Sequence, residues 1–104
     1  MEGPKLALRV DDLDNVATVF ANGVTAGMEL EVRDKKGNID RIVVHSDIPF
    51  GHKIAVTDIP RTAHIMKYGE SIGEAEVDIR RGDYVHVHNM KALRGRGDLG
   101  EGKA

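Results

Sequence analysis

The chain has 104 residues, of which 40% are hydrophobic and 31% charged, the balance of one small globular domain and not of a disordered chain. It has no cysteine, which excludes disulfides, thiolate metal sites and cysteine nucleophiles. Its net charge of −2 provides no general attraction for nucleic acid or anionic membrane, and no apolar run approaches the roughly 18 residues of a membrane span.

Aromatic residues are only 4% and tryptophan is absent, so the core must come mostly from Val, Ile, Leu, Met and Ala. Charge is uneven along the chain. Residues 1–32 carry six acidic and two basic side chains, whereas residues 91–104 carry four basic and two acidic ones. The N-terminal Met-Glu-Gly-Pro-Lys lacks the basic-then-apolar pattern of a signal peptide, so a cytoplasmic protein is expected.

Twelve glycines and three prolines cut the sequence into runs of about five to eight residues with period-two alternation, the pattern of short strands. The first contested stretch is 12–22. Asp12 could cap a short helix carrying Leu13, Val16 and Phe20 on one face, but residues 15–20 are β-rich and alternating, and a strand is favoured. Residues 28–32 alternate cleanly, and Lys35-Lys36-Gly37-Asn38 is a hairpin-like turn leading into a strand over 39–44. Residues 53–57, 63–68 and 84–89 read as further strands, and 68–73 as a mobile or hairpin loop. The expected fold is all-β with little helix. It occupies residues 1–90, followed by a flexible Gly-rich tail over 91–104 that begins where the alternation stops.

The segment 47–59 aligns without gaps on 78–90, matching Asp47-Ile48 with Asp78-Ile79, Gly51 with Gly82, Ile54 with Val85 and Val56 with Val87. This is a tight turn feeding a strand, used twice, with each glycine supplying a positive φ or a close backbone approach.

Chemistry-bearing residues fall into three groups. On a strand, His86 and His88 would share a face and could converge on one metal ion; a solvated polar face opposite Val85 and Val87 is the equal alternative. Asn89 could bind a substrate hydroxyl or fix a turn. Gly51-His52-Lys53 could present an imidazole and an ammonium to an anionic group, with His52 as general acid/base, or could be an ordinary polar loop. Asp11, Asp12 and Asp14 beside Asn15 suit a metal or a sugar hydroxyl, though Asp and Asn also simply favour turns. Glu70 could enter a site or face solvent.

Four motifs stand in order along the chain. They are Asp14-Asn15-Val16-Ala17, Ile48-Pro49-x-Gly51-His52-Lys53-x-Ala55-x-x-Asp58-Ile59, Ile65-x-Lys67-Tyr68-Gly69-Glu70-x-Ile72-Gly73 and Gly82-x-x-Val85-His86-Val87-His88-Asn89. From about Leu6 to Met90 the chain resembles the small SAF-type domain of the altronate/galactarate dehydratase family. The resemblance implies a β-clip fold of short twisted strands and long loops. It implies work beside a large dehydratase subunit or domain that removes water from a sugar-acid substrate with a divalent metal, Fe2+ or Mn2+. A chain ending after a Gly-rich tail resembles the separate small subunit, with a homo-oligomer also allowed.

By the same resemblance, His86, His88 and Asp11 fall on the metal side, and His52 and Lys53 on a catalytic loop at the substrate carboxylate. Asp14, Asn15, Asn89 and Glu70 are then substrate contacts. Relatives commonly carry a histidine where this chain has Asp11, which could alter metal preference. The small subunit of sulfolactate sulfo-lyase has the same architecture and is the alternative activity. The rival outside catalysis is a carbohydrate-binding or assembly module of the SAF type.

Overall fold

The computed structural model describes residues 5–92, and among these there is no helix. Nine strands follow in chain order: β1 (Lys5–Arg9), β2 (Val16–Val19), β3 (Glu29–Asp34), β4 (Ile39–Val43), β5 (Lys53–Ala55), β6 (His64–Lys67), β7 (Glu70–Ala75), β8 (Tyr84–Val85) and β9 (Met90–Ala92). They form a six-stranded sheet, ordered β4-β3-β1-β2-β5-β8, and a three-stranded sheet, ordered β6-β7-β9. The all-β expectation holds, and 15–20 is a strand, not a helix. β1 had no counterpart in the sequence reading. Strand β9 runs to Ala92, across the boundary expected at residue 90, and the rest of the expected tail lies outside the described residues.

Alternation puts one set of side chains of the large sheet into a core built on Val19, Leu30, Ile48 and Ile54. The opposite set at the β2-β5-β8 end, including Val16, Ala55 and Val85, meets Ile59, Ile65, Ala75 and Ile79 in a second core under the small sheet. Burying these aliphatics contributes about 1.5–3 kcal/mol each, the main favourable energy available to a chain without tryptophan.

The internal echo proves fourfold. Val24, Ile48, Ile59 and Ile79 each open a unit, are at most 3% exposed, and pair as isolated bridges, Val24 with Ile48 and Ile59 with Ile79. Three residues later comes a positive φ, at Gly27, Gly51, Thr62 and Gly82. The following N–H closes the turn onto Thr25, Pro49, Pro60 and Arg80, the type II pattern. A buried aliphatic then enters the next strand: Leu30, Ile54, Ile65 and Val85. In three units the preceding aspartate ties the partner turn: Asp47 accepts from Ala26 N–H, Asp58 from Arg81 N–H and Asp78 from Arg61 N–H. Sequence comparison found only two of the four, because Thr62 and Gly23 break the Asp-Ile…Gly signature without breaking the geometry.

Candidate functional site

Two of these turns build the ring cluster. The Gly51 N–H donates to Val19 O and the Val19 N–H to His52 O, both 2.8 Å, clamping the His52 turn onto the end of β2. The Gly82 N–H donates to Ala55 O and the Ala55 N–H to Asp83 O, both 2.9 Å, clamping the next turn onto β5. Antiparallel pairing of β5 with β8 sets Ile54 against Tyr84 and Lys53 against Val85. His52 and Tyr84, 32 residues apart, therefore meet: His52 Nδ1 lies 2.5 Å from the Tyr84 hydroxyl. The His52 and His86 rings are 4.7 Å apart, Tyr84 stacks on His86 at 5.7 Å and 11°, and His88 lies 5.2 Å from Tyr84.

Alternation alone places His86 and His88 on one face of a strand over 84–89. That expectation is corrected: β8 ends at Val85 and residues 86–89 form a turn. The physical reason is Asn89. Its N–H donates to His86 O, its Oδ1 accepts the His86 N–H, and its Nδ2 donates to Tyr84 O, all at 2.9–3.0 Å. A side chain bonding its own backbone in this way competes with the sheet ladder and ends it. The two imidazoles are brought together by Tyr84 between them and not by strand alternation. Asn89 is 7% exposed and both ends of its amide are engaged in fixing the turn.

Lys53 is half-buried beside this cluster. Burial and then the Lys67 charge hold its ammonium below the ordinary lysine value. Burial, with Lys53, His52 and His88 as neighbouring charges, likewise lowers the His86 pKa. The histidine is therefore held toward its neutral form, which is the form that binds metal or accepts a proton.

The acidic group lies in a second cluster, at the β6–β7 hairpin. Tyr68 (φ 57°) and Gly69 (φ 75°) form its two-residue, type I′ turn. Asp14, 4% exposed, accepts the Tyr68 N–H on Oδ2 (3.0 Å), the Gly69 N–H on Oδ1 (2.8 Å) and the Asp11 N–H on Oδ2 (3.0 Å). Asn15 Oδ1 accepts the Met66 N–H at 2.7 Å and its Nδ2 donates to His64 O at 2.9 Å. Both side chains thus staple the loop before β2 to the small sheet. Asp11 accepts the Leu13 N–H on Oδ1 and packs against Gly69, where an added Cβ would sit 3.0 Å from its Oδ2. Glu70 is exposed at the start of β7.

The residues fit part of a divalent metal site. His52 uses Nδ1 on Tyr84, so Nε2 is the nitrogen left for another partner, and His86 and His88 add two more imidazoles around the same tyrosine. Among the described residues no three His, Cys, Asp or Glu side chains converge as a complete ligand group, and Asp11 belongs to the other cluster.

Two site residues were not picked out from sequence. Tyr84 had a usable signal, since it stands two residues before His86 in a chain with only two tyrosines. Lys67 lay inside a quoted motif but its proximity to Lys53 depends on β2 bridging β5 and β6, which no local pattern encodes.

Residues 5–93 match the family described as the altronate/galactarate dehydratase SAF domain. Altronate dehydratase of Escherichia coli (strain K12) is 37% identical over 84 residues, covering 81% of this chain but 16% of that enzyme. Galactarate dehydratase (L-threo-forming) of the same organism is 38% identical over 79 residues, 75% of this chain and 14% of the relative. The (2R)-sulfolactate sulfo-lyase subunit alpha of Chromohalobacter salexigens is 39% identical over 83 residues, 78% of this chain and 87% of the relative. The chain therefore spans about a sixth of the dehydratases and most of the sulfo-lyase subunit. The family match covers the His52 turn, the Asp14 staple and the Tyr84–Asn89 turn together, and the chain belongs to the altronate/galactarate dehydratase SAF-domain family.

Proposed function

We propose that this chain is the small partner in a dehydratase of sugar acids, acting in the cytoplasm and contributing metal and substrate contacts to a site completed by a larger chain. The observation carrying this reading is the gathering of His52, Tyr84, His86 and His88 beside half-buried Lys53, an imidazole-rich cluster without a complete metal ligand set among the described residues.

The reaction is loss of water: a base takes the proton α to the carboxylate and the β-hydroxyl leaves with a proton from an acid. Lys53 orients the carboxylate as a point charge, and His52, with Nδ1 fixed by Tyr84, presents Nε2 as the proton carrier. His86 and His88 would hold Fe2+ or Mn2+ with ligands from the partner; Asp11, packed on Gly69, is the weaker third candidate. The metal, when bound, supplies positive charge that stabilises negative charge developing on the substrate. Asn89 serves the substrate by holding the His86 turn, Asp14 and Asn15 by holding the β6–β7 hairpin to the loop before β2, and exposed Glu70 approaches from that hairpin.

The test is reconstitution. The chain alone is expected to be inactive on altronate and galactarate, and a large dehydratase chain with Fe2+ or Mn2+ restores formation of the keto acid. Turnover unchanged in a His86→Ala/His88→Ala variant would remove the site assignment. The 87% coverage of a sulfo-lyase alpha subunit favours one second reading, elimination of sulfite from sulfolactate, which sulfite release in the same assay detects. Sugar-acid binding by the chain alone, with no metal and no partner requirement, would point to a carbohydrate-binding module instead.

A further inference from the structure

The six-stranded sheet ends in β4 on one side and in β8 on the other, and its two edges are tied together. The tie is made by the turn that enters β8. The Arg81 guanidinium donates through Nη2 to Asp40 Oδ1 and to Arg41 O of β4, both at 3.1 Å. Two residues beyond β4, the His45 N–H donates to Gly82 O at 3.0 Å, and His45 Nδ1 lies 2.7 Å from Asp83 Oδ1. A Cβ on Gly82 would sit 3.2 Å from the His45 ring, so the imidazole lies close against the turn. A carboxylate only accepts, so the proton of the His45–Asp83 contact is carried by Nδ1. The other oxygen of Asp83 accepts the Arg80 N–H of its own turn at 2.8 Å, and its carbonyl accepts the Ala55 N–H of β5 at 2.9 Å. Asp83 thus joins β4, β5 and its own turn, and the next residue is Tyr84.

Strand β8 is two residues long and has a ladder partner, β5, on one side only. So short an edge strand can tilt on its partner unless its open side is held. The Tyr84 hydroxyl must meet His52 Nδ1, and a hydrogen bond weakens steeply with lost alignment, so a small tilt of β8 would release the imidazole. We propose that His45 is a positioning residue of the imidazole cluster: acting through Asp83, it holds Tyr84 on His52 and so fixes which His52 nitrogen is left for the reaction. His45 lies outside the four motifs, and Asp83 and Tyr84 occupy their open positions, so the family resemblance does not supply this connection. The role deepens the dehydratase reading above and rests on it for the use made of His52, but not for the coupling itself.

The experiment reads the ring nitrogens of each histidine by long-range proton–nitrogen NMR of the full-length chain, free of metal and at about pH 8, above the ordinary imidazole range. A single tautomer gives two widely separated nitrogen shifts, and exchange between tautomers draws them together. Wild-type His52 is expected to show the separated pair, and Tyr84→Phe to draw it together. His45→Phe, which keeps a ring beside Gly82 and removes its nitrogens, should produce the greater part of the Tyr84→Phe displacement. His45→Asn, whose amide can donate where Nδ1 did, should restore the wild-type pair. Added to Tyr84→Phe, His45→Phe should move His52 no further, because both changes act on one contact. His64→Ala removes another exposed imidazole, bonded through Nδ1 to Ser71 Oγ at 2.6 Å, and should leave His52 unchanged. Amide spectra verify that each variant is folded, and His45→Ala takes the place of His45→Phe if the larger ring is not accommodated. An averaged pair in wild-type His52, shifts unmoved in the folded His45 variant, or equal movement with and without the Tyr84 hydroxyl overturns the proposal. The reading is taken on the chain without metal or sugar acid, so its outcome is separate from turnover of the assembled enzyme and from ligand binding.

Discussion

The Nδ1 of His52 and the hydroxyl of Tyr84 lie 2.5 Å apart, joining the turn before β5 to the first residue of β8. Only one nitrogen of a neutral imidazole carries a proton, so this contact determines which face of His52 remains available. Tyr84→Phe keeps the ring that stacks on His86 and removes only the hydroxyl. Urea unfolding should show a loss of about 1–2 kcal/mol from the unpaired, part-buried nitrogen. In the reconstituted enzyme, kcat should fall more than KM rises, because the histidine is mispositioned and not removed.

Asp14 tests the second cluster. Its carboxylate is the acceptor for both central N–H groups of the β6–β7 turn and for Asp11. Asp14→Ala leaves three donors to find water in a largely buried place, and an unfolding curve should lose about 2–4 kcal/mol. A stability equal to wild type would mean that the staple is dispensable and that Asp14 is held for chemistry.

The four equivalent turns form a graded backbone series. Thr62, a β-branched residue at φ 76°, occupies the position that is glycine in the other three. Thr62→Gly should raise stability by up to about 1 kcal/mol, relief of strain exceeding the added freedom of the unfolded chain. Gly27→Ala meets nothing within 4 Å and should cost about 1 kcal/mol for its positive φ alone. Gly82→Ala would drive a Cβ to 2.5 Å from Val43 O and should cost about 2–4 kcal/mol. Thermal melts of the three variants check the order.

Lys53 predicts a pH dependence. Burial, and then Lys67, lower its folded pKa below the unfolded value of 10.5, so the folded state holds this proton less tightly than the unfolded one. The penalty is complete below the folded pKa and fades as pH rises through it toward 10.5. Lys53→Met should therefore be more stable than wild type at pH 7, with the advantage shrinking by pH 10.5. Urea curves of both proteins at the two pH values check this, and a constant difference would show that the lysine is fully hydrated.

Local pattern alone determined a good deal about this protein. Alternation around Glu29–Asp34 and Ile39–Val43 set two strands, because one more buried face imposes period two on the residues themselves, while Val16–Val19, buried on both faces, was marked by its β-rich residues. The glycines at 51 and 82 marked turns because a positive φ is costly for other residues, and the family motifs pointed to His52, His86 and His88. The tertiary structure decided the partners. Pairing of β5 with β8 carried His52 to Tyr84 across 32 residues, and Asn89 curled residues 86–89 out of the sheet against their own alternation. Asp14 and Asn15, read as site residues, spend most of their side-chain hydrogen bonds on backbone more than 45 residues away. Period and turn chemistry are written in adjacent residues, whereas the meeting of side chains from distant strands follows from how the two cores pack.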